Sequence, residues 1–281
     1  MSIFIEKYEN QPGIYVLRDD LLPGGTKSVF LDSIINRRAT SDPQLKVNQV
    51  PVHDNVNEIV YASPCYGGFQ IALSIFCKNN NKKATIFCAK RKVRHPNTEK
   101  CLQNGANVVE VPYGYLSVVE KHAREYMMER EPGVTLKIAF GANSPENINM
   151  IASRAKRVIE TFHTTYGTPP DEIWCAVGSG TLISGIIQAV DEMQGEPLHP
   201  CSKGSEVSPL KIYGVQVGKE FKGNNSPNVT IIVYPKPFEY ASKLKVNFPS
   251  MPNYDLKAFE MCIKYNANSD ENKKILFWNV L

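Results

Sequence analysis

The sequence contains no CxxC pair among its 7 cysteines, Cys65, Cys77, Cys88, Cys101, Cys175, Cys201 and Cys262. Neither a zinc cluster nor a dithiol redox motif is therefore indicated, and no histidine spacing suggests a metal site. Several of the cysteines sit inside apolar runs ("SIFCK", "TIFCAK", "EIWCAV"), where a small buried hydrophobe is expected. Unpaired thiols suit a reducing, cytoplasmic compartment. No apolar run approaches ~20 residues, so no membrane span is expected. The opening "MSIFIEKYENQPG" lacks the charged-then-apolar layout of a secretion signal. A strong excess of one charge is also missing: 32 Lys and Arg against 28 Asp and Glu leave a net +4. That permits an anionic ligand and falls short of a nucleic-acid-binding composition. Two phosphate signatures are absent as well: no Gly-Lys-Ser/Thr ending of a Walker loop, and no dinucleotide fingerprint after an early strand.

What is present is an alternation of strand-like and helix-like segments over 281 residues, 42% of them hydrophobic and 21% charged. "GIYVLR", "EIVYAS", "KKATIFCAK", "NVVEVP", "LKIAFG", "DEIWCAV", "LKIYGVQVG" and "NVTIIVYP" read as strands. "KSVFLDSIINRR", "FQIALSIFCK", "HPNTEKCLQNGA", "SVVEKHAREYMMER", "SPENINMIASRAKRVIETFHTTYG" and "TLISGIIQAVDEM" read as helices. This predicts an α/β fold of two parallel-sheet domains with helices on both faces. We place a large domain at 1–39 plus 138–281 and a smaller one at 40–137. Ligands in such folds sit where loops leave the carboxyl ends of strands.

Three turns stand out. "LLPGGTKSVFL" puts two glycines and Thr26 directly before Lys27 at the start of a helix. "SPCYGGFQ" opens a second helix. "AVGSGTLISG" follows an apolar strand and opens a third. In the last, Gly178, Ser179, Gly180 and Thr181 offer bare N–H groups and two hydroxyls at a helix N-terminus, a place that attracts phosphate. A plain tight turn with close helix packing at Gly185 explains the same residues. Alone, Lys27 reads as an exposed turn lysine and Asp255 as a cap for "LKAFEMCIK". Tyr254 alone reads as a half-buried packing residue, and His53 and His95 as solvated histidines.

Taken in order, the three turns resemble the fold type II, tryptophan-synthase-like pyridoxal-phosphate enzymes. The resemblance is nearest to the 1-aminocyclopropane-1-carboxylate deaminase and D-cysteine desulfhydrase branch. "LRDDLLPGGTKSVFL" is similar to that branch's lysine segment, "SPCYGGFQIAL" to its substrate loop and helix, "FGANSPENI" to its G-G-S-N stretch, and "NYDLKAF" to its V-Y-E/T-G-K-A segment. The resemblance implies a pyridoxal 5'-phosphate cofactor in the cleft between the domains and a small amino-acid-like substrate. Lys27 would form the internal aldimine and then move a proton, and Tyr254 would lie near the substrate Cα as a catalytic acid/base or leaving-group aid. Gly178, Ser179, Gly180 and Thr181 would hold the phosphate, with Asp255 facing the ring nitrogen. Thr26, Ser63, Cys65, Tyr66, Gly67, Gly68 and Gln70 would face the substrate, Cys65 as a nucleophile or as an inert thiol. The activity implied is a lyase or deaminase working at Cα or Cβ, and the assembly implied is a homodimer.

The sequence departs from the branch in several places. Its serine-asparagine-histidine loop is replaced by Ser63-Pro64-Cys65, so the asparagine that contacts the cofactor's phenolic oxygen is missing. Thr26 stands where the branch has asparagine, and Val29 where it has arginine. The chain is short, and its ending "ILFWNVL" is unfamiliar there. That ending, with "NFPSMPNYDLKAF", is similar to compact pyridoxal-phosphate-like proteins of bacteriophages that hypermodify DNA bases. An alternative substrate is therefore an amino-acid-modified pyrimidine in DNA, decarboxylated or rearranged. A second alternative is a non-catalytic protein that binds a phosphate ligand.

Overall fold

A computed structural model describes residues 2–35, 56–112, 114–131, 133–195, 209–218, 220–223, 226–268, 270 and 272–280. His53 and Cys201 lie outside them. The chain forms two compact units, Met1–Thr26 with Gly141–Leu281, and Lys27–Phe140. The sequence pattern suggests boundaries after residue 39 and before residue 138. The first boundary moves to Thr26 because helix α1 (Ser28–Ile35) packs on helix α2 (Phe69–Asn79), with the Phe30 and Phe69 rings 6.1 Å apart.

In the first unit a six-stranded sheet runs β1-β2-β10-β7-β8-β9. These strands are β1 (Ile5–Lys7), β2 (Ile14–Arg18), β7 (Glu172–Val177), β8 (Lys211–Gln216), β9 (Val229–Val233) and β10 (Ile275–Asn279). All neighbours are parallel except β1, which pairs antiparallel with β2. Two of these strands, β1 and β10, are not among those expected from the sequence. The C-terminal β10 lies between β2 and β7, a central position consistent with "ILFWN" being buried at all five residues.

Side chains alternate across this sheet, as the pleat requires. Tyr15, Leu17, Ile173, Cys175, Leu276 and Trp278 face helices α5 (Pro145–Tyr166) and α6 (Thr181–Gly195). Val16, Trp174, Ala176 and Phe277 face helix α7 (Asp255–Tyr265). Helix α5 starts as its sequence directs: the Ser144 hydroxyl accepts from the Asn147 N–H, Pro145 occupies the first turn, and left-handed Gly167 ends the helix.

In the second unit four parallel strands run β5-β4-β3-β6: β3 (Glu58–Ala62), β4 (Lys83–Ala89), β5 (Asn107–Val111) and β6 (Thr135–Ile138). Val60, Ala62, Phe87 and Ala89 pack against Val119 and Ala123 of helix α4 (Leu116–Met128). Helix α2 lies against β4 and against helix α3 (Pro96–Gln103).

Candidate active site

In the first unit, β2 and β7 flank β10, and all three run parallel. The turn after β2 and the turn after β7 therefore leave the same carboxyl edge of one sheet. They stand two inter-strand spacings apart, about 10 Å. The two glycine turns are thus brought to one edge by β10, a strand not among those expected from the sequence.

The first of these turns is tied back on itself. Leu22 N–H donates to Asp19 O at 2.9 Å and Gly25 N–H to Leu22 O at 2.8 Å. Gly24 and Gly25 have φ of 89° and 69°, a left-handed pair that side chains would resist. Thr26 is buried, and its hydroxyl donates to Asp19 Oδ2 at 2.8 Å and accepts from Trp278 Nε1 at 3.0 Å. Asp19, 1% exposed, also accepts from Trp278 Nε1 at 3.1 Å and from Arg154 Nε at 3.1 Å, and forms a close ion pair with Arg154 Nη2. The hydroxyl of Thr26, expected from the sequence to face substrate, is engaged inside this buried network. Lys27 follows directly. It is half-buried, with its Nζ 5.3 Å from the centroid of the Phe69 ring at the start of α2.

The second turn is shaped by packing. Gly180 has φ of 87°, and a Cβ there would meet the Phe221 ring at 2.7 Å. A Cβ at Gly178 would meet the Tyr254 ring at 2.8 Å. Gly141 lies against the Ser179 side chain, Thr181 Oγ1 donates to Gly141 O at 3.0 Å, and Asn143 Nδ2 donates to Ser179 O at 3.3 Å. Residues 141–143 and Phe221 therefore brace the turn. Nothing local in "FGANS" or around Phe221 signals this role. The 15-residue helix α6 begins at Thr181, directing its free N-terminal N–H groups and positive dipole end at this turn.

Asp255 opens α7 and is fully buried. Tyr254 precedes it, with its hydroxyl 3.4 Å from Ala176 O. Burial, then the nearby Asp255 charge and Cys175, hold the Tyr254 phenol far above its usual range, so it stays neutral at physiological pH. Burial and Asp255 push the Cys175 thiol up as well.

In the second unit, the loop before α2 is organised from within. Ser63 and Gln70 are both fully buried. Ser63 Oγ donates to Pro64 O at 2.9 Å, while Gln70 Nε2 donates to Cys65 O and Gly67 O, each at 2.9 Å, and to Pro64 O at 3.3 Å. These two side chains gather the loop's carbonyls. Cys65 is buried, and Gly67 lets the chain pass Ser63 Oγ, which a Cβ would approach to 3.0 Å. Gly68 stands at the N-cap of α2. Tyr66 rests edge-on against His95, with ring centroids 4.7 Å apart, and Arg91 lies over its face at 6.0 Å. His95 is no solvated histidine: it caps α3, its Nδ1 accepting from Asn97 N–H at 3.2 Å, and burial and then Arg91 lower its pKa. Burial raises the Cys88 thiol to about 11 and the Cys101 thiol to about 12, so neither is a ready nucleophile. Among the described residues no group of three or more His, Cys, Asp or Glu could hold a metal ion. None of the described helices is long and apolar enough to cross a membrane.

The family model described as "Pyridoxal-phosphate dependent enzyme" matches residues 4–262. The chain belongs to this family. No curated protein matches it. Among solved structures, it is similar to an ACC deaminase homologue at TM-score 0.75 and 14% identity, covering 100% of this chain and 89% of that one. It is also similar to a hydrogen sulfide-producing enzyme from Fusobacterium nucleatum at TM-score 0.69 and 14% identity, covering 99% and 92%. A threonine deaminase from T.th. gives TM-score 0.65 at 11% identity, covering 98% and 92%. At these identities the likeness is one of fold. Pyridoxal phosphate is the cofactor of the family, and the donors at the second turn fit it. Two glycines and two hydroxylated residues lead into a long helix's N-terminus, which suits a phosphate dianion, and a buried carboxylate stands one residue beyond the tyrosine packed on that turn.

Proposed function

We propose that this family member is a lyase or deaminase that labilises a bond at Cα or Cβ of an amino-acid substrate. The reading is supported above all by the placement of the turn ending at Thr26 and the turn 178–181 at one sheet edge, two strand spacings apart. Lys27 would be the amine that holds the cofactor and the base that moves the substrate proton. The N–H groups of Gly178 to Thr181 hold the phosphate. Thr181's hydroxyl braces the turn through Gly141, and Tyr254 forms a neutral wall against Gly178. Asp255, the buried carboxylate at the start of α7, would be the partner of the ring nitrogen and would favour its protonated form. Bound there, pyridoxal phosphate supplies the electron sink that lets a bond to Cα break. The N-terminus of α2 offers N–H groups to a substrate carboxylate, with Ser63 and Gln70 fixing the loop's shape from behind and Tyr66 at its surface.

A second substrate, an amino acid carried on a pyrimidine in DNA, is favoured by one feature. Lys90, Arg91 and Lys92 are exposed just past the end of β4, and Arg91 lies over Tyr66 of the substrate loop. Cations beside an aromatic suit a phosphodiester backbone and a base.

The test is a product screen of protein loaded with pyridoxal phosphate. Release of ammonia, pyruvate or carbon dioxide from free amino acids, abolished by Lys27→Ala, supports the first substrate. Release only from amino-acid-modified DNA supports the second. No turnover of either by a protein that holds the cofactor on Lys27 would leave a non-catalytic binding protein.

A further inference from the structure

Asp19, Thr26, Arg154 and Trp278 lie far apart in sequence and meet in the interior of the first unit, each of them buried. Their contacts converge on the residue immediately before Lys27. Trp278 Nε1 is shared between Thr26 Oγ1 and Asp19 Oδ2, at 3.0 and 3.1 Å. The Thr26 hydroxyl closes the triangle on Asp19 at 2.8 Å, and the Thr26 N–H donates to Val280 O at 3.1 Å. The end of β10 thus grips Thr26 by side chain and backbone. The neighbouring Asp20 is held in parallel, accepting from Arg18 Nε at 2.9 Å and from Asn279 Nδ2 at 2.8 Å. The consecutive pair Trp278-Asn279 therefore engages the consecutive pair Asp19-Asp20.

We propose that Thr26 and Trp278 are positioning residues for Lys27: through Asp19 they fix the backbone from which the lysine reaches its reaction partner. The inference rests on the assignment of Lys27 as the covalent lysine. A buried network with each charge answered has one low-energy arrangement, which suits holding a reacting group in place. Lys27 begins the second unit, and what the network holds is the peptide that joins it to Thr26.

Thr26→Val keeps the side chain's shape and removes the hydroxyl; Thr26→Ser keeps the hydroxyl. Trp278→Phe removes the shared N–H at the far side of the triangle and serves if Thr26→Val does not fold, which circular dichroism of the apoprotein decides. Two readouts are taken: the rate of borohydride-fixed pyridoxal phosphate incorporation at Lys27, at limiting cofactor, and the pH dependence of the visible band. We expect incorporation to fall roughly tenfold or more in Thr26→Val and Trp278→Phe, with the pH at which the band changes displaced from that of the wild type. Thr26→Ser should restore both. If the wild type incorporates at Lys27 and folded Thr26→Val or Trp278→Phe matches it in rate and pH dependence, the positioning role is wrong and the lysine assignment stands. If the wild type does not incorporate at Lys27, both fall.

Discussion

The two glycine turns at the sheet edge are built on opposite principles. The turn leading to Lys27 is held by side chains: a buried carboxylate, Asp19, answered by Arg154, Trp278 and Thr26. The turn at 178–181 is held by shape, with glycines giving way to the Tyr254 and Phe221 rings, and by its neighbours at 141–143. The first arrangement suits a group that must be aimed, because a charged, fully answered network tolerates little displacement. The second suits a ligand bound by backbone N–H groups, because close approach matters there more than direction.

If that contrast is right, breaking the first turn should cost far more stability than altering the second. Arg154→Met leaves Asp19 buried with its charge under-compensated. It should lower unfolding free energy by about 3–5 kcal/mol in urea titrations, and the double variant Asp19→Leu/Arg154→Met should recover part of that loss. Gly180→Ala forces a side chain into a left-handed residue and onto Phe221. Its expected cost is smaller, about 1–2 kcal/mol, while cofactor affinity in equilibrium dialysis falls roughly tenfold, equivalent to about 1.4 kcal/mol. Asn279→Ala removes the donor to Asp20 Oδ1 and to Pro249 O but leaves Arg18 on Asp20, so about 1 kcal/mol is expected.

Smallest is Tyr254→Phe at neutral pH, about 0.5 kcal/mol or less, since the hydroxyl's bond to Ala176 O is long. Its effect is on pH dependence. A phenol held neutral in the fold contributes stability that is fully present below about pH 10, the unfolded tyrosine's value, and declines as pH rises beyond it. Urea midpoints measured between pH 9 and 11 should therefore fall less steeply in Tyr254→Phe than in the wild type (a range set about the ordinary tyrosine value). An unchanged alkaline slope would mean that Tyr254 ionises freely.

The contrast also explains what could be read from the sequence. The second turn is local: an apolar strand, Gly178-Ser179-Gly180-Thr181 and a helix are contiguous, and strand-turn-helix spacing carries the signal. The strands and helices with clear periodicity, β2 to β9 and α2 to α6, were legible for the same reason. The lysine turn was legible as an oddity, "PGGTK", but not its cause, because Trp278 lies 259 residues from Asp19. No local pattern links "RDDL" to "FWN". Strand β10 is a five-residue run near the chain end, and its central role follows only from pairing β2 on one side and β7 on the other. The roles of Thr26, Ser63 and Gln70 are obscured similarly. Each has a polar group able to meet a substrate, and burial decides that it meets the protein's own carboxylate or carbonyls instead. The polar loop around His95 suggests a solvated histidine, whereas its cap on α3 and its contact with Tyr66 depend on the fold.

The central claim is that Lys27 is the residue joined to pyridoxal phosphate, and reduction followed by peptide mapping tests it most directly. Protein equilibrated with pyridoxal phosphate should show a visible band that borohydride bleaches. Mass spectrometry of a digest should then find the reduced cofactor on the peptide containing Lys27, and the Lys27→Ala protein should give neither the band nor the labelled peptide. Label on another lysine, or a colourless wild type that binds the cofactor without a covalent bond, would contradict it.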